Sequence, residues 1–171
     1  ALTDAVHREG AAVSAQIGHA GAVANSRSTG HTALSPSRFV APQAVAPTKA
    51  CTTDDIARIT SDHARAARGA LETGFDAIEV HFGHNYLVSE FLSPRLNRRR
   101  DGYGGTLANR ARFARGIGRA IRDEVGDRAR QAQLTDGEAC ARHILARQHA
   151  HKLMPLAEKI GLKAVTLTGR D

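Results

Sequence analysis

The clearest indication of the fold of this chain is the segment FDAIEVHFGHNY, residues 75–86. Its first seven residues are mostly apolar and include β-branched side chains, a pattern typical of a buried strand. A Thr-Gly pair, which is a signal that ends a helix, stands directly before it. The stretches AAVSAQI at residues 11–17 and KAVTLT at 163–168 are strand-like too, and Gly precedes the second. This repeated order of helix, glycine and strand predicts an α/β fold with a parallel sheet.

Three helices are expected between and after these strands. The first begins at Thr53-Asp54-Asp55, a capping residue followed by acids that suit the positive end of a helix. The second covers about residues 107–125, and the third begins near Glu138 and contains Pro155, which kinks or divides it. Apolar faces at helical spacing are formed by Ile56, Ile59, His63, Ala67 and Ala70 in the first helix, and by Phe113, Ile117, Ala120, Ile121 and Val125 in the second.

The composition indicates a globular chain of one domain, residues 1–171. Hydrophobic residues make up 42% and charged residues 24%, and no long polar low-complexity tract is present. No apolar run approaches the ~18–20 residues that span a bilayer, so no membrane partner is expected. Cys51 and Cys140 cannot build a disulfide framework, which favours a reducing, cytoplasmic location.

The net charge of +7 raises the question of an anionic partner. The only local run of cations is Arg98-Arg99-Arg100, and three interpretations of it are open: a solvated loop, the steering of an anionic ligand, and nucleic-acid binding. Stacking aromatic residues are not interleaved with the run, so we do not expect a nucleic-acid partner.

Two stretches depart from the expected pattern. Residues 18–52 form a connection rich in Gly, Ser and Pro, far longer than the usual ~4–6 residues, and such loops are commonly lids or binding loops. The segment DRARQAQLT, residues 127–135, stands where another strand is expected, yet it is polar where a buried parallel strand is apolar. It opens a divergent C-terminal part, residues 127–171.

Candidate chemistry is concentrated in EVHFGHNY, residues 79–86. His81 lies at the C-terminal end of the strand, and His84 and Tyr86 follow in the loop, where parallel α/β folds gather their ligand sites. Two imidazoles can donate hydrogen bonds to a carbonyl oxygen, and a phenol, protonated at neutral pH, can give a proton to a carbanion. A zinc pair and two structural histidines are the alternatives, although no third ligand with convincing spacing accompanies them.

Gln16 is a second candidate, on the strand that leads into the turn GHAG. Its amide can donate to and accept from a planar heterocycle at once, although an isolated strand glutamine is commonly ordinary polar filling. The Gly-rich run at residues 101–105 has no strand before it, so a dinucleotide-binding fingerprint is rejected.

These motifs carry a family resemblance. EVHFGHNYLVSEFLSPRLNRRRDGYGGTLANRARF, residues 79–113, closely resembles the signature of the Old Yellow Enzyme family, FMN-dependent NAD(P)H:flavin oxidoreductases that include 2,4-dienoyl-CoA reductases. AQIGHAG, residues 15–21, resembles the family's earlier strand-and-turn motif, and the similarity fades after about residue 126. The resemblance implies a (β/α)8 TIM barrel with FMN at its C-terminal mouth, and it places this chain at about strands three to six.

The resemblance also implies roles for single residues. Gln16 matches the glutamine that hydrogen-bonds the flavin pyrimidine edge, and His81 and His84 match the pair that holds a substrate carbonyl or the nicotinamide amide. Tyr86 matches the tyrosine that protonates the α-carbon of an activated alkene or enone. The reductant would be NADH or NADPH, acting in a ping-pong mechanism. Loop and helix-start positions of the motif, with no chemical role, are matched by Asp101, Tyr103, Asn109 and Arg110.

Two departures from the family pattern concern positive charge. The family's His-Ala-Gly-Arg turn ends in Ala22 here, and the next strand offers Gln133 where the family has Lys or Arg near the flavin. Gln133 is therefore the second cofactor-binding candidate beside Gln16. Loss of the cation is expected to weaken the stabilisation of reduced flavin and to slow its reduction.

A third departure is length, because a (β/α)8 barrel needs ~250 residues. We therefore expect an incomplete barrel, a fragment or truncated product of a flavin oxidoreductase, with unpaired strand edges and an exposed apolar inner face. Two outcomes are open for such a chain: it binds FMN poorly on its own, or it folds only by pairing with another copy as a homo-oligomer. Three functional hypotheses follow: an FMN-dependent ene-reductase, a catalytically silent remnant that serves as an interaction or dimerisation module, and a metal-dependent hydrolase built on His81 and His84.

Overall fold

The computed structural model describes residues 1–41 and 46–126, and the backbone of residues 132–135. The described segments form helices and mostly short strands. In chain order they are α1 (Leu2–Arg8), β1 (Ser14–Ile17), a 3₁₀ turn (Gly21–Val23), α2 (Ser26–Thr29), β2 (Leu34–Ser35), β3 (Val40–Ala41), β4 (Ala46–Pro47), β5 (Lys49–Ala50), α3 (Thr53–Glu72), β6 (Ala77–His81), α4 (Leu87–Leu92), α5 (Leu107–Arg110), α6 (Arg112–Val125) and β7 (Ala132–Thr135).

The main sheet is parallel, as predicted, with the strand order β1-β6-β7. Its register places Gln16 of β1, Glu79 of β6 and Gln133 of β7 in one row across the sheet. The polar segment at residues 127–135 therefore does contain the expected strand. The strand predicted at residues 75–81 is shorter than expected and begins at Ala77.

The N-cap of helix α3 lies one residue earlier than the sequence indicated, at Thr52. The Thr52 side chain accepts a hydrogen bond from the Asp55 backbone N–H, and the Asp55 side chain accepts one from the Thr52 backbone N–H. This reciprocal capping box satisfies two N–H groups that have no partner within the helix. The predicted apolar face is confirmed, with Ala70 partly buried and the other four residues buried.

The helix expected over residues 107–125 is divided into α5 and α6 at Ala111. Thr106 caps α5 by accepting from the Asn109 backbone N–H. The predicted apolar face of α6 is buried at Phe113, Ile117, Ile121 and Val125, whereas Ala120 is only partly buried.

The hydrophobic core lies between one face of the sheet and the helices α3 and α6. Alternate residues of each strand, Ala15 and Ile17 in β1 and Ile78 and Val80 in β6, point to this side, since successive side chains of a strand point to opposite faces. The core side chains of the two helices are Ile56, Ile59, Ala67, Phe113, Ala114, Ile117, Ile121 and Val125.

The opposite face of the sheet corrects an expectation. We predicted an apolar inner face, but this face carries exposed Ser14 and Gln16 in β1, and partly buried Glu79 and buried His81 in β6. The difference arises because side chains alternate between the two faces of a strand. The apolar core residues of both strands point toward the helices, which leaves polar side chains on the opposite face.

The long connection after β1 is built from short elements. Within it, β2 pairs with β5 in parallel and β3 with β4 antiparallel, and the buried Ser35 hydroxyl donates to the Thr48 hydroxyl at 2.6 Å. In the described part of the chain, no helix is both long and apolar enough to cross a membrane. The strand expected at 163–168, the helix with Pro155, and Cys140 lie outside the described residues.

Candidate active site

Two long loops leave the sheet at the same edge. Residues 18–52 follow the C-terminal end of β1, and residues 82–106 follow the C-terminal end of β6. The strands approach closely there: a Cβ added at Gly18 would lie 3.0 Å from the Cβ of His81. Both loops can therefore place side chains at the carboxyl ends of the strands, where functional residues are expected to cluster.

His81 and His84 form a stacked pair. His81 ends β6 and is 7% exposed, while His84 is exposed. Their ring centroids are 5.0 Å apart with an interplanar angle of 20°, and His84 Nδ1 lies 3.1 Å from His81 Nε2. One of these nitrogens must donate and the other accept, so the contact holds one proton between the two rings.

Tyr86 completes a cluster of three rings. Its ring packs edge-on against His81, with centroids 4.7 Å apart and an interplanar angle of 68°. His84 and Asn85 have φ values of 53° and 57°, in the left-handed region, and Tyr86 is the N-cap of α4. These two left-handed residues turn the chain back so that residues 81, 84 and 86 meet, and His and Asn are among the residues that tolerate this conformation. The structure therefore brings together the three residues predicted from EVHFGHNY.

Gln16 lies on the same face of the sheet, below the ring cluster. Its side-chain Nε2 donates to Glu79 Oε1 at 2.6 Å, and the two residues are direct partners in the strand register. Glu79 is two residues before His81, hence ~7 Å lower along the strand. Glu79 was not predicted as the partner of Gln16. The available signal was a polar residue at a corresponding position in each of the two strands.

Gln133 is placed by its backbone alone. The register of β7 sets it opposite Glu79, and sets Thr135 opposite His81. Gln16, Glu79 and Gln133 thus occupy neighbouring positions on three adjacent strands.

Glu90 is a buried acid that the sequence analysis missed. It is 1% exposed in α4, and its Oε1 accepts a hydrogen bond from the Ala22 backbone N–H at 2.8 Å. No hydrogen-bond partner for Oε2 is found in the described part of the chain. Burial raises the pKa of this carboxyl to about 8, and the Ala22 hydrogen bond only partly opposes that shift. The available signal was the single acid within the apolar run LVSEFL.

The turn that contacts Glu90 is pressed against the start of α4. The Leu87 backbone N–H donates to the His19 carbonyl at 3.0 Å. Gly21 has φ 63°, and a Cβ added there would lie 2.6 Å from the Leu87 nitrogen. Only glycine fits this approach, so the loop after β1 and the helix that follows Tyr86 are held as one unit.

The loop after α4 is held by arginines, which corrects one interpretation of the arginine run. Arg99 is not a solvated side chain: it donates to the carbonyls of Pro36 and Cys51 and pairs with Asp101 at 2.6 Å. Arg110 donates to the carbonyls of Leu92 and Gly105. Two of the residues that were expected to support the loop and the start of the helix do so. These are Asp101 and Arg110, whose contacts lie within this loop.

A metal centre finds no support in the described residues. They contain no group of three or more His, Cys, Asp or Glu side chains that could hold a metal ion. Cys140 and the histidines at positions 143, 149 and 151 lie outside the described residues.

Comparison with known proteins relates this geometry to flavoenzymes. A 4,4'-dithiodibutanoate disulfide reductase of Rhodococcus erythropolis is 51% identical over 125 residues, which are 73% of this chain and 31% of that enzyme. The solved Old Yellow Enzyme homologue of Zymomonas mobilis superposes with a TM-score of 0.82 at 28% identity, covering 96% of this chain and 49% of that one. Morphinone reductase in complex with tetrahydroNAD gives a TM-score of 0.80 at 28% identity, with 96% and 50% covered.

These matches agree on fold and family. The solved neighbours are α/β barrels of the Old Yellow Enzyme type, so the described strands and helices are part of such a barrel. The chain spans about a third of the length of the disulfide reductase and about half of the two solved neighbours. The pattern of the NADH:flavin oxidoreductase / NADH oxidase family, whose cofactor is FMN, matches residues 1–159. The chain belongs to this family of oxidoreductases.

Proposed function

We propose that this chain carries the substrate-holding and proton-donating part of an FMN-dependent NAD(P)H oxidoreductase of the ene-reductase type. The observation that carries the proposal is the cluster of His81, His84 and Tyr86 at the carboxyl end of β6. A flavin oxidoreductase acting on a carbonyl-activated alkene needs hydrogen-bond donors for the carbonyl oxygen and a proton donor beside them.

The residues on the sheet face fit a flavin. Gln16 is exposed, carries both an amide donor and an amide acceptor, and is held by Glu79 rather than buried in the core. A planar heterocycle with alternating donors and acceptors matches such a row of polar groups. Gln16 and Gln133 would hold FMN, which when bound supplies hydride transfer between the nicotinamide and the substrate.

His81 and His84 would hold the carbonyl oxygen. Each neutral imidazole carries one N–H, and the pair would donate both to a carbonyl oxygen when that oxygen replaces the His81–His84 contact. Negative charge that develops on the oxygen would be stabilised by these two donors. The burial of His81 at the end of β6 fixes its ring, so that His84 and Tyr86 are oriented against it.

Tyr86 would give the proton to the α-carbon. Its phenol sits at the start of α4 and packs against His81, so it lies within a few ångströms of the groups that hold the carbonyl. A phenol retains its proton at neutral pH and can donate it when a carbanion develops nearby.

Purification with FMN tests the proposal. The full chain is incubated with FMN, separated by gel filtration and examined by its visible spectrum before and after anaerobic addition of NADH or NADPH. A co-eluting flavin band that bleaches supports the proposal. Protein that elutes without flavin overturns it for this chain and leaves the silent interaction module as the better interpretation.

Tyr86→Phe then tests the proton donor. We expect reduction of an α,β-unsaturated ketone to slow by ~10²–10⁴-fold while flavin reduction by NAD(P)H is unchanged. Tyr103→Phe is the matched control, because Tyr103 packs against Phe91 outside the ring cluster. Equal rates of ketone reduction in the two variants would contradict the role of Tyr86. A disulfide acceptor is assayed in parallel, since the 51% identical relative is a disulfide reductase.

The setting of the enzyme belongs to the same proposal. We extend the proposal to a cytoplasmic location, because Cys51 is a buried free thiol and the described chain uses no disulfide. Burial raises the pKa of this thiol to about 12, which lowers its reactivity. Assembly of copies as a homo-oligomer would cover the open edges of the described sheet.

A further inference from the structure

The middle residue of the arginine run is buried to a much greater extent than its two neighbours. Arg99 is turned inward, with 11% of its side chain exposed, and is engaged with Pro36, Cys51 and Asp101. Its neighbours Arg98 and Arg100 are exposed. The inward contacts of Arg99 thus hold the loop, while the residues on either side of it remain exposed.

Two further arginines are brought to the same surface. The Arg98 backbone N–H donates to Ser37 Oγ at 3.0 Å, which sets exposed Arg38 beside the loop. Arg98 Nε donates to the carbonyl of Arg95 at 3.3 Å, and Arg95 is exposed as well. The arginine surface is defined as Arg38, Arg95, Arg98 and Arg100.

Among the described residues, no acid neutralises this surface. Within the part of the chain that the structure describes, no carboxylate lies within ion-pair distance of any of its four arginines, and nearby Asp101 is held by Arg99. The arginines of α3 differ: Arg58 and Arg65 are paired with Asp62. The four arginines therefore form a group of positive charges that no described carboxylate compensates, and guanidinium groups recognise phosphate through paired hydrogen bonds.

The arginine surface lies toward the carboxyl edge of the sheet, as does the candidate active site. Both of its loops leave the carboxyl ends of β1 and β6. Helix α4, which begins directly after Tyr86, has six residues and is therefore ~9 Å long, and Arg95 follows three residues after its end. A ligand with its reactive end at the ring cluster could thus extend its polar end across this surface.

We infer that the arginine surface binds the phosphate groups of a nucleotide-type ligand whose reactive end lies at His81, His84 and Tyr86. The inference deepens the proposed function and rests on it for the position of the reactive end. Two sources share this chemistry: the nicotinamide dinucleotide that reduces the flavin, and a substrate activated as a nucleotide-bearing thioester. Nucleic acid is disfavoured because no aromatic side chain is among the exposed large hydrophobic residues of the described chain.

Equilibrium binding to the purified full chain tests the inference, with NADPH, NADH and coenzyme A as probes at low and moderate salt. The double variant Arg98→Ala/Arg100→Ala is expected to bind a phosphate-rich probe about tenfold more weakly than the unchanged chain. Binding should also weaken as salt rises, because the surface is exposed. A stronger effect on NADPH than on coenzyme A assigns the surface to the reductant, and the reverse assigns it to the substrate.

A matched control removes the same charge elsewhere. Arg65→Ala/Arg119→Ala deletes two exposed arginines, on α3 and α6, outside the two loops. Equal weakening in both double variants would show a general charge effect and overturn the inference, as would absence of binding to all three probes, or tighter binding of duplex DNA. The measurement is made with and without FMN: probe binding without flavin retention would support the surface while the proposed function fails, and flavin retention without probe binding would do the opposite.

Discussion

The two faces of the β1–β6 strand pair differ in almost every property. The face toward α3 and α6 carries Ala15, Ile17, Ile78 and Val80, and Ile78 is fully buried. The face away from the helices carries Gln16, Glu79 and His81, with Gln16 exposed. Adjacent residues of one strand thus have different roles. One face supplies the apolar burial that stabilises the fold, and the other face carries the polar side chains available for chemistry.

The comparison implies that stability and function can be disturbed separately. Substitutions on the helix side should destabilise the fold even though these residues have no role in activity. Substitutions on the other side should leave the fold nearly intact. The loops at the carboxyl end are intermediate, because their residues hold the site and are also tightly packed.

The largest effect is expected for Ile78→Ala, on the helix side of β6. The side chain has no exposed surface, so its truncation leaves a cavity and should lower the free energy of unfolding by about 2–5 kcal/mol. Urea denaturation followed by circular dichroism measures the change. Glu79→Ala, at the next residue but on the opposite face, is the control and should cost less than ~1.5 kcal/mol. Equal losses for the two variants would contradict the division of the faces.

Gly21→Ala tests the contact between the two loops. The left-handed φ and the 2.6 Å approach to the Leu87 nitrogen both oppose a Cβ, so the free energy of unfolding should fall by about 2–4 kcal/mol. Gly30→Ala is matched in backbone conformation, since Gly30 has φ 70°, but nothing lies within 4 Å of its added Cβ. Thermal unfolding of both variants separates close approach from backbone strain, and indistinguishable melting temperatures would refute the close packing.

Glu90→Gln is expected to change the pH dependence of stability. The folded pKa of about 8 is above the ordinary 4.5, so between these values the folded chain holds a proton that the unfolded chain has lost. Stability contributed by the protonated form is therefore complete below about pH 4.5 and is lost as the pH rises toward 8, by at most ~1.4 kcal/mol per pH unit.

The amide that this substitution introduces keeps an acceptor for the Ala22 N–H and removes the titration. Urea unfolding at pH 5.5 and 7.5 should show that the variant gains stability relative to the unchanged chain at the higher pH. Glu72→Gln, at an exposed position at the end of α3, is the control and should show no such gain. A parallel fall in stability for the unchanged chain and Glu90→Gln would refute a buried, protonated Glu90.

The smallest effect on the fold is expected for Gln16→Ala. The amide is exposed and its hydrogen bond to Glu79 is replaceable by water, so the free energy of unfolding should change by about 0.5–1.5 kcal/mol. Retention of FMN on gel filtration should nevertheless weaken if the amide contacts the flavin. A large loss of stability with unchanged flavin retention would show that Gln16 is structural.

Much of the fold could be predicted because its signals are local. Strands β1 and β6, helices α3 and α6, and their apolar faces follow from periodicities within one segment, and burial at Ile56, Ile117 and Val80 agrees with them. The cluster of His81, His84 and Tyr86 was also predictable, since the three residues lie within six positions of one another.

The remaining features depend on partners that are distant in sequence. Gln16 and Glu79 are separated by 63 positions, Ala22 and Glu90 by 68, and Cys51 and Arg99 by 48. No local pattern specifies which distant polar group will meet which, because that is decided by the strand register and by how the two loops fold over the carboxyl end of the sheet. For this reason the local pattern leaves the role of Arg99 open and gives no partner for Glu90.

The order of helices and strands, the family motifs and the three ring-bearing residues could all be predicted from the sequence, because each is encoded in a short continuous stretch. Three other features depend on how the chain folds: the inner face is polar, Arg99 turns inward while its neighbours remain exposed, and Glu90 is buried against Ala22. Burial and hydrogen-bond pairing are properties of the folded chain. A charged side chain becomes buried, or gains a partner, only when segments that are distant in sequence pack together.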